Sequence, residues 1–277
     1  MKNFTLSNGV LIPEVGFGTW KAADVDGVAV IGEAIKAGYR HIDTASFYGT
    51  EEHVGKAIAQ SGVKREELFI TTKAWKTELG YDNILRAFDQ SCKTMGLDYV
   101  DLYLIHWPIP TPGYEGWEQL DKDSWKAIER IYEQGGARAI GVSNFLVHHM
   151  ENILSDCNVA PMVNQVEFHP GYTQWDTVQF CQKHNILMEA WSPLGRQRIS
   201  QEPLLLELAE KYGVSLAQIC IKFALQCGVL PLPKSANPQR VRQNLELDFT
   251  ISEEDMARIH AMPETGFSGL HPDYNEE

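Results

Sequence analysis

A rhythm constrains this chain more than any single motif. Eight times a short apolar run is followed by a longer segment of helical period, almost to the C-terminus. Such alternation marks a parallel sheet whose crossovers are helices. The runs at 15–18, 41–44, 68–73, 100–106, 137–142, 162–168, 186–192 and 229–234 are short and mostly apolar, as strands buried on both faces must be. Helical segments fall at 25–37, 52–59, 82–95, 124–133, 148–154, 177–184, 203–227 and 238–245. The segment 203–227 divides at Gly213, with Ser215 as N-cap of its second helix. One further helix is expected over 252–262, capped by Ser252 with Asp255 three residues on. Ahead of the repeats, Asn8-Gly9 between Phe4-Thr5-Leu6 and Val10-Leu11-Ile12 predicts a hairpin with a tight type I′ turn.

Eight β-then-α units in 277 residues predict an α/β fold, a (β/α)₈ TIM barrel with an N-terminal β-hairpin, which needs about 250 residues. A doubly wound sheet is the competitor. It calls for a GxGxxG turn after the first strand, and Gly16-Phe17-Gly18-Thr19-Trp20-Lys21 supplies only its first two glycines. No Pro/Ser-rich or low-complexity stretch divides the chain, so residues 1–277 are expected to form one domain. The longest irregular stretch is 107–120, a length that usually serves a site.

With 24 Lys+Arg against 37 Asp+Glu, the net charge of −13 disfavours nucleic acid and anionic membranes. Cys92, Cys157, Cys181, Cys220 and Cys227 are scattered and form no CxxC pair, and the first residues open no signal-peptide core. A cytoplasmic protein with reduced thiols and no membrane span is expected, acting on a small molecule.

In a barrel the site forms at the C-terminal ends of the strands. Those ends carry Asp43, Lys73, His106, Ser143-Asn144, Gln165, Trp191-Ser192 and Lys234-Ser235, with Tyr48 five residues after Asp43. Singly each has an ordinary structural reading: Asp43 a cap, Tyr48 packing, His106 a satisfied core histidine. Jointly they make a proton-donating site. An ammonium beside a phenol favours the phenolate and lowers the phenol pKa, and a carboxylate anchors the lysine.

Five segments resemble the signatures of the aldo-keto reductases: Gly38-Tyr39-Arg40-His41-Ile42-Asp43-Thr44-Ala45, Leu102-Tyr103-Leu104-Ile105-His106-Trp107-Pro108, Ile140-Gly141-Val142-Ser143-Asn144-Phe145, Asn164-Gln165-Val166-Glu167-Phe168-His169-Pro170 and Pro233-Lys234-Ser235. They span essentially the whole chain in order. The resemblance implies a monomeric barrel reductase that binds NADPH without a Rossmann domain and reduces aldehydes and ketones. It implies Tyr48 as general acid, Lys73 and Asp43 tuning it, and His106 orienting the carbonyl. It further implies that Ser143, Asn144 and Gln165 bind the nicotinamide carboxamide. Trp191 would stack on its ring, where many members have Tyr. Gly18, Thr19, Ser192 and Leu194 would line the cofactor, and Lys234, Ser235, Arg240 and Asn244 would surround the adenosine 2′-phosphate, favouring NADPH over NADH. Gln243 stands where many relatives have Glu. Lys234 and Arg240 also read as solvated surface.

Trp20, Trp75 and Trp107 fall on the expected mouth and suit a small aromatic substrate pocket, although any one of them also reads as core. The short acidic stretch 266–277 resembles the bacterial and fungal branch that reduces 2,5-diketo-gluconate, glyoxals and diverse aldehydes. Two other readings compete. A metal-dependent hydrolase would use His41, Asp43, His106 and His169, but Lys73 in the same mouth would oppose a cation; no metal is expected. A non-catalytic NADPH-binding regulatory barrel would not need the intact Tyr48, Lys73 and His106 set.

Overall fold

A computed structural model describes residues 2–274. A two-stranded hairpin, β1 (Asn3–Thr5) and β2 (Leu11–Pro13), precedes eight strands: β3 (Gly16–Gly18), β4 (His41–Asp43), β5 (Phe69–Ala74), β6 (Val100–Ile105), β7 (Ala137–Ser143), β8 (Val163–Glu167), β9 (Leu187–Trp191) and β10 (Val229–Pro231). The eight pair in parallel and in sequence order. The Gly18 amide donates to Pro233 O at 3.2 Å, which brings the last strand against the first. The chain is a (β/α)₈ barrel. At the seam a Cβ on Gly16 would collide with the side chains of Leu232 and His41. The first glycine of the Gly16-Phe17-Gly18 run therefore serves barrel closure rather than a phosphate turn.

The crossovers are α1 (Gly27–Ala37), α2 (Glu51–Ser61), α3 (Tyr81–Met95), α4 (Trp117–Glu133), α5 (Val147–Leu154), α6 (Trp175–Lys183), the pair α7 (Pro203–Tyr212) and α8 (Leu216–Gln226), and α9 (Pro238–Gln243); α10 (Glu253–His260) follows. Gly213, at φ +66°, ends α7, and Ser215 caps α8 in a reciprocal pair with Gln218. Ser252 caps α10, whose buried Asp255 accepts from Lys211 and Tyr212 and so ties that helix to α7.

Three expectations are corrected. The hairpin turn is not type I′: Gly9 has φ +86° but Asn8 is not in the left-handed region. Leu6 and Val10 close a three-residue loop, with the Leu6 amide donating to Val10 O at 2.9 Å. Helix α4 begins at Trp117 rather than 124, so the irregular stretch after β6 is shorter. Its first turns lack an apolar stripe because Asp121 stands, fully buried, where an apolar residue would be expected. Strand β10 stops at Pro231, since Pro231 and Pro233 have no amide to donate to a ladder.

The five cysteines are free thiols. Among the described residues no helix is long and apolar enough to cross a membrane.

Candidate active site

The strand ends meet as the rhythm requires. Lys73, fully buried on β5, donates to Asp43 Oδ1 at 2.7 Å and to Thr44 O at 2.8 Å. Its Nζ lies 5.0 Å from the centre of the Tyr48 ring. Tyr48 sits on a one-turn 3₁₀ helix, Ser46–Tyr48, that Gly49 ends at φ +64°. The turn is braced from behind by a hydroxyl chain, Thr44 to Thr50 at 2.8 Å and Thr50 to Thr19 at 2.9 Å. His106, just past β6, brings Nε2 to 3.5 Å from the Tyr48 hydroxyl.

Burial and the Lys73 ammonium hold His106 well below the ordinary histidine value, so its imidazole is neutral. Burial would lower Lys73, but its acidic neighbours, Asp43 first and then Tyr48, together outweigh it and keep the ammonium charged. The expected lowering of Tyr48 is corrected. Burial raises the phenol above its ordinary value and outweighs the downward pull of Lys73. Tyr48 is therefore protonated at neutral pH.

Gln165 on β8 donates through Nε2 to Asp43 Oδ2 at 2.9 Å and to Glu189 Oε2 at 2.8 Å. Glu189 was not anticipated from sequence, yet it is fully buried, and burial followed by the Asp43 charge pushes it up to about 8. Its only sequence signal is a carboxylate in the otherwise apolar run Leu187–Trp191.

The opposite wall holds the remaining expected residues. Ser143 donates to Gln165 O at 2.8 Å. Asn144, left-handed at φ +63°, donates to His106 O at 2.9 Å and accepts from Trp191 Nε1 at 2.7 Å. Thr19 and Gly18 reach the same rim, but the Thr19 hydroxyl belongs to the threonine chain and the Gly18 amide to the seam. Past Trp191 the loop runs through left-handed Ser192, Gly195, Arg196 and Gln197, with Leu194 packed against the core. The Arg196 guanidinium lies 5.2 Å over the Trp191 ring.

Lys234 and Ser235 are half-buried beyond β10, Arg240 is exposed on α9, and Asn244 is buried at its end. A groove of about 130 Å³ separates α1 from α9, lined by Ala29, Val30, Glu33, Ser235, Pro238 and Val241. Among the described residues neither Lys234 nor Arg240 has an ion-pair partner.

Trp20 and Trp75 form an aromatic rim with a residue that sequence reasoning missed. Phe47 stacks on Trp75 with ring centres 3.7 Å apart and on Trp20 at 5.8 Å. Its signal was its place beside Tyr48 in Ser46-Phe47-Tyr48. Trp75 meets His106 edge-on at 4.9 Å, and Trp107, more deeply buried, lies 6.5 Å from the same imidazole.

His41, Asp43, His106 and His169 do not assemble as ligands: His41 bonds Thr71 at 2.9 Å and His169 bonds Pro170 O at 2.8 Å. Among the described residues the ligand-spaced cluster is instead His148, His149 and Asp273. There Asp273 lies 3.1 and 3.0 Å from the two Nε2 atoms and ties the C-terminal segment to α5. The same segment is held to β8 by Ser268, which donates to Glu167 at 2.7 Å. Residues 275–277 of the acidic end lie outside the described residues.

The profile of the Aldo/keto reductase family matches residues 14–264. A glyoxal reductase of Bacillus subtilis (strain 168) is 45% identical over 270 residues, covering 97% of this chain and 95% of that protein. The crystal structure of an aldo/keto reductase from Brucella melitensis superposes with a TM-score of 0.87 at 43% identity, covering 93% of this chain and 97% of that one. A Bombyx mori aldo-keto reductase in complex with NADP superposes with a TM-score of 0.90 at 36% identity, covering 99% and 97%. The chain belongs to the aldo/keto reductase family and is an oxidoreductase.

Proposed function

We propose that this protein reduces small aldehydes, 2-oxo aldehydes above all, to alcohols with NADPH, and that Tyr48 is the general acid. One observation carries the reading. A protonated phenol, a charged lysine held by a buried carboxylate, and a neutral imidazole converge on one mouth.

The residues present fit the cofactor. Trp191 offers a ring face that already accommodates a planar cation, the Arg196 guanidinium, and so suits a nicotinamide ring. Gln165 donates through both hydrogens of Nε2 to Asp43 and Glu189, which fixes its amide plane and leaves Oε1 as the end that can accept from a carboxamide. Lys234 and Arg240, without carboxylate partners among the described residues, suit a 2′-phosphate, and the groove between α1 and α9 suits adenine. Ser143, Asn144 and Gln165 would hold the carboxamide, Ser192 and Leu194 the pyrophosphate, and Ser235 and Asn244 the adenosine end. Gly18 and Thr19 would line the cofactor at the same rim, with the Gly18 amide and the Thr19 hydroxyl engaged within the protein. When bound, the cofactor supplies the hydride.

The chain's own residues handle the proton. His106 Nε2 orients the carbonyl oxygen beside the Tyr48 hydroxyl, which gives up its proton to that oxygen. Lys73 stabilises the phenolate left behind, and Asp43 keeps Lys73 charged and in place. Trp20, Phe47, Trp75 and Trp107 exclude water from a small, flat substrate. Under the same reading, residues 1–277 act as one barrel domain, a cytoplasmic monomer working on small carbonyls without nucleic acid or membrane.

The test is a fluorescence titration with NADPH, followed by absorbance at 340 nm with methylglyoxal and a panel of aldehydes. Binding with turnover supports the reading. Tight binding without turnover on any carbonyl would sink it.

A further inference from the structure

Glu189 has no part in the proton path above, yet it stands at the centre of the barrel. It lies on β9 in register with Gln165 on β8, and its Oε2 accepts from Gln165 Nε2 at 2.8 Å. The same nitrogen donates to Asp43 Oδ2 at 2.9 Å, and the other Asp43 oxygen holds Lys73 at 2.7 Å. Glu189 Oε1 is buried with no partner among the described residues.

A fully buried carboxyl is costly, and a leucine would fill the same space without that cost. The reason for an acid lies in its neighbour. A carboxamide nitrogen carries two hydrogens; Asp43 takes one, and the other needs a second acceptor inside the barrel. Without it, Gln165 would hang on a single bond, free to turn about its last torsion.

We propose that Glu189 is a positioning residue for the cofactor. By accepting the second hydrogen of Gln165 Nε2, it locks that carboxamide with Oε1 turned to the mouth, where Oε1 accepts an N–H from the nicotinamide carboxamide. The inference rests on the cofactor reading of Gln165 given above. Burial and the Asp43 charge keep Glu189 protonated at neutral pH, so it accepts through Oε2 without setting a second negative charge beside Asp43.

The experiment compares Glu189→Leu, Glu189→Gln and Gln165→Leu by fluorescence titration with NADPH, NADH and 2′,5′-ADP, the last carrying the phosphate end without nicotinamide. Glu189→Leu weakens NADPH and NADH by the same factor, about tenfold, on the scale of one lost hydrogen bond. It leaves 2′,5′-ADP unchanged, which also shows that the variant is folded. Glu189→Gln keeps an acceptor in place of Oε2 and binds NADPH within about twofold of the wild type. The inference is overturned if Glu189→Leu binds NADPH like the wild type. It is equally overturned if Glu189→Gln loses as much as Glu189→Leu, a result that needs no folded leucine variant. An unchanged NADPH affinity in Gln165→Leu removes Gln165 from the cofactor site, and with it the reading beneath the inference.

Discussion

The two sides of the barrel mouth are built on opposite terms. On the side of β4, β5 and β6, Asp43 and Lys73 are buried and bonded to each other, Lys73 also to the Thr44 carbonyl, and buried His106 faces the Tyr48 hydroxyl through Nε2. On the side of β10 and α9, Lys234 and Ser235 are half-buried and Arg240 is exposed, and among the described residues neither cation has an ion partner. The loop between them, from Ser192 to Gln197, is rich in left-handed backbone. The first side is preorganised, its charges fixed before any ligand arrives. The second leaves Arg240 in water and Lys234 at the rim beside the Lys21 carbonyl, where cations cost little and await an anion. The proposed chemistry lives on the first side and the proposed cofactor specificity on the second.

The largest effect should follow from breaking the closed side. Lys73→Met leaves Asp43 buried without its cation, which costs about 3–5 kcal/mol of stability by chemical denaturation. Adding Asp43→Asn restores much of that stability and none of the turnover. If Lys73→Met alone is as stable as the wild type, the pair is not the anchor described here.

The next effect is a pH dependence. Glu189 is protonated in the fold up to about 8, whereas unfolded it ionises near the ordinary 4.5. A raised carboxyl gives stability that is lost as pH rises towards its folded value. From pH 6 to pH 8, Glu189→Gln should therefore gain about 2 kcal/mol on the wild type. Parallel stability curves would mean that Glu189 is ionised in the fold.

On the open side the effects are smaller and selective. Lys234→Met should raise the Michaelis constant for NADPH about tenfold and hardly move that for NADH, with stability unchanged. Arg240→Met should do the same by only a few-fold, since its charge is fully hydrated before binding. Equal changes for both cofactors would remove these cations from the 2′-phosphate.

The same contrast explains what could be read from sequence. Strand ends after the first were legible because each carries a polar residue, such as Lys73 or His106, at the close of an apolar run. Most helix limits followed from caps such as Ser215 and Ser252. The start of α4 did not, because buried Asp121 interrupts the apolar stripe. Glu189 and its bond to Gln165 depend on the register between β8 and β9, which no local pattern encodes. The stack of Phe47 on Trp75 joins two loops distant in sequence. The net pKa of Tyr48 depends on how deeply its hydroxyl is enclosed, so the lysine alone gave the wrong sign.

The most direct test of the chemistry is the turnover of Tyr48→Phe with methylglyoxal, measured alongside its NADPH affinity. Removing only the phenolic hydroxyl should lower kcat by about 10³-fold, within the range of a lost general acid, while NADPH binds within about twofold of the wild type. Turnover equal to the wild type, with the cofactor bound as tightly, would contradict Tyr48 as the proton donor.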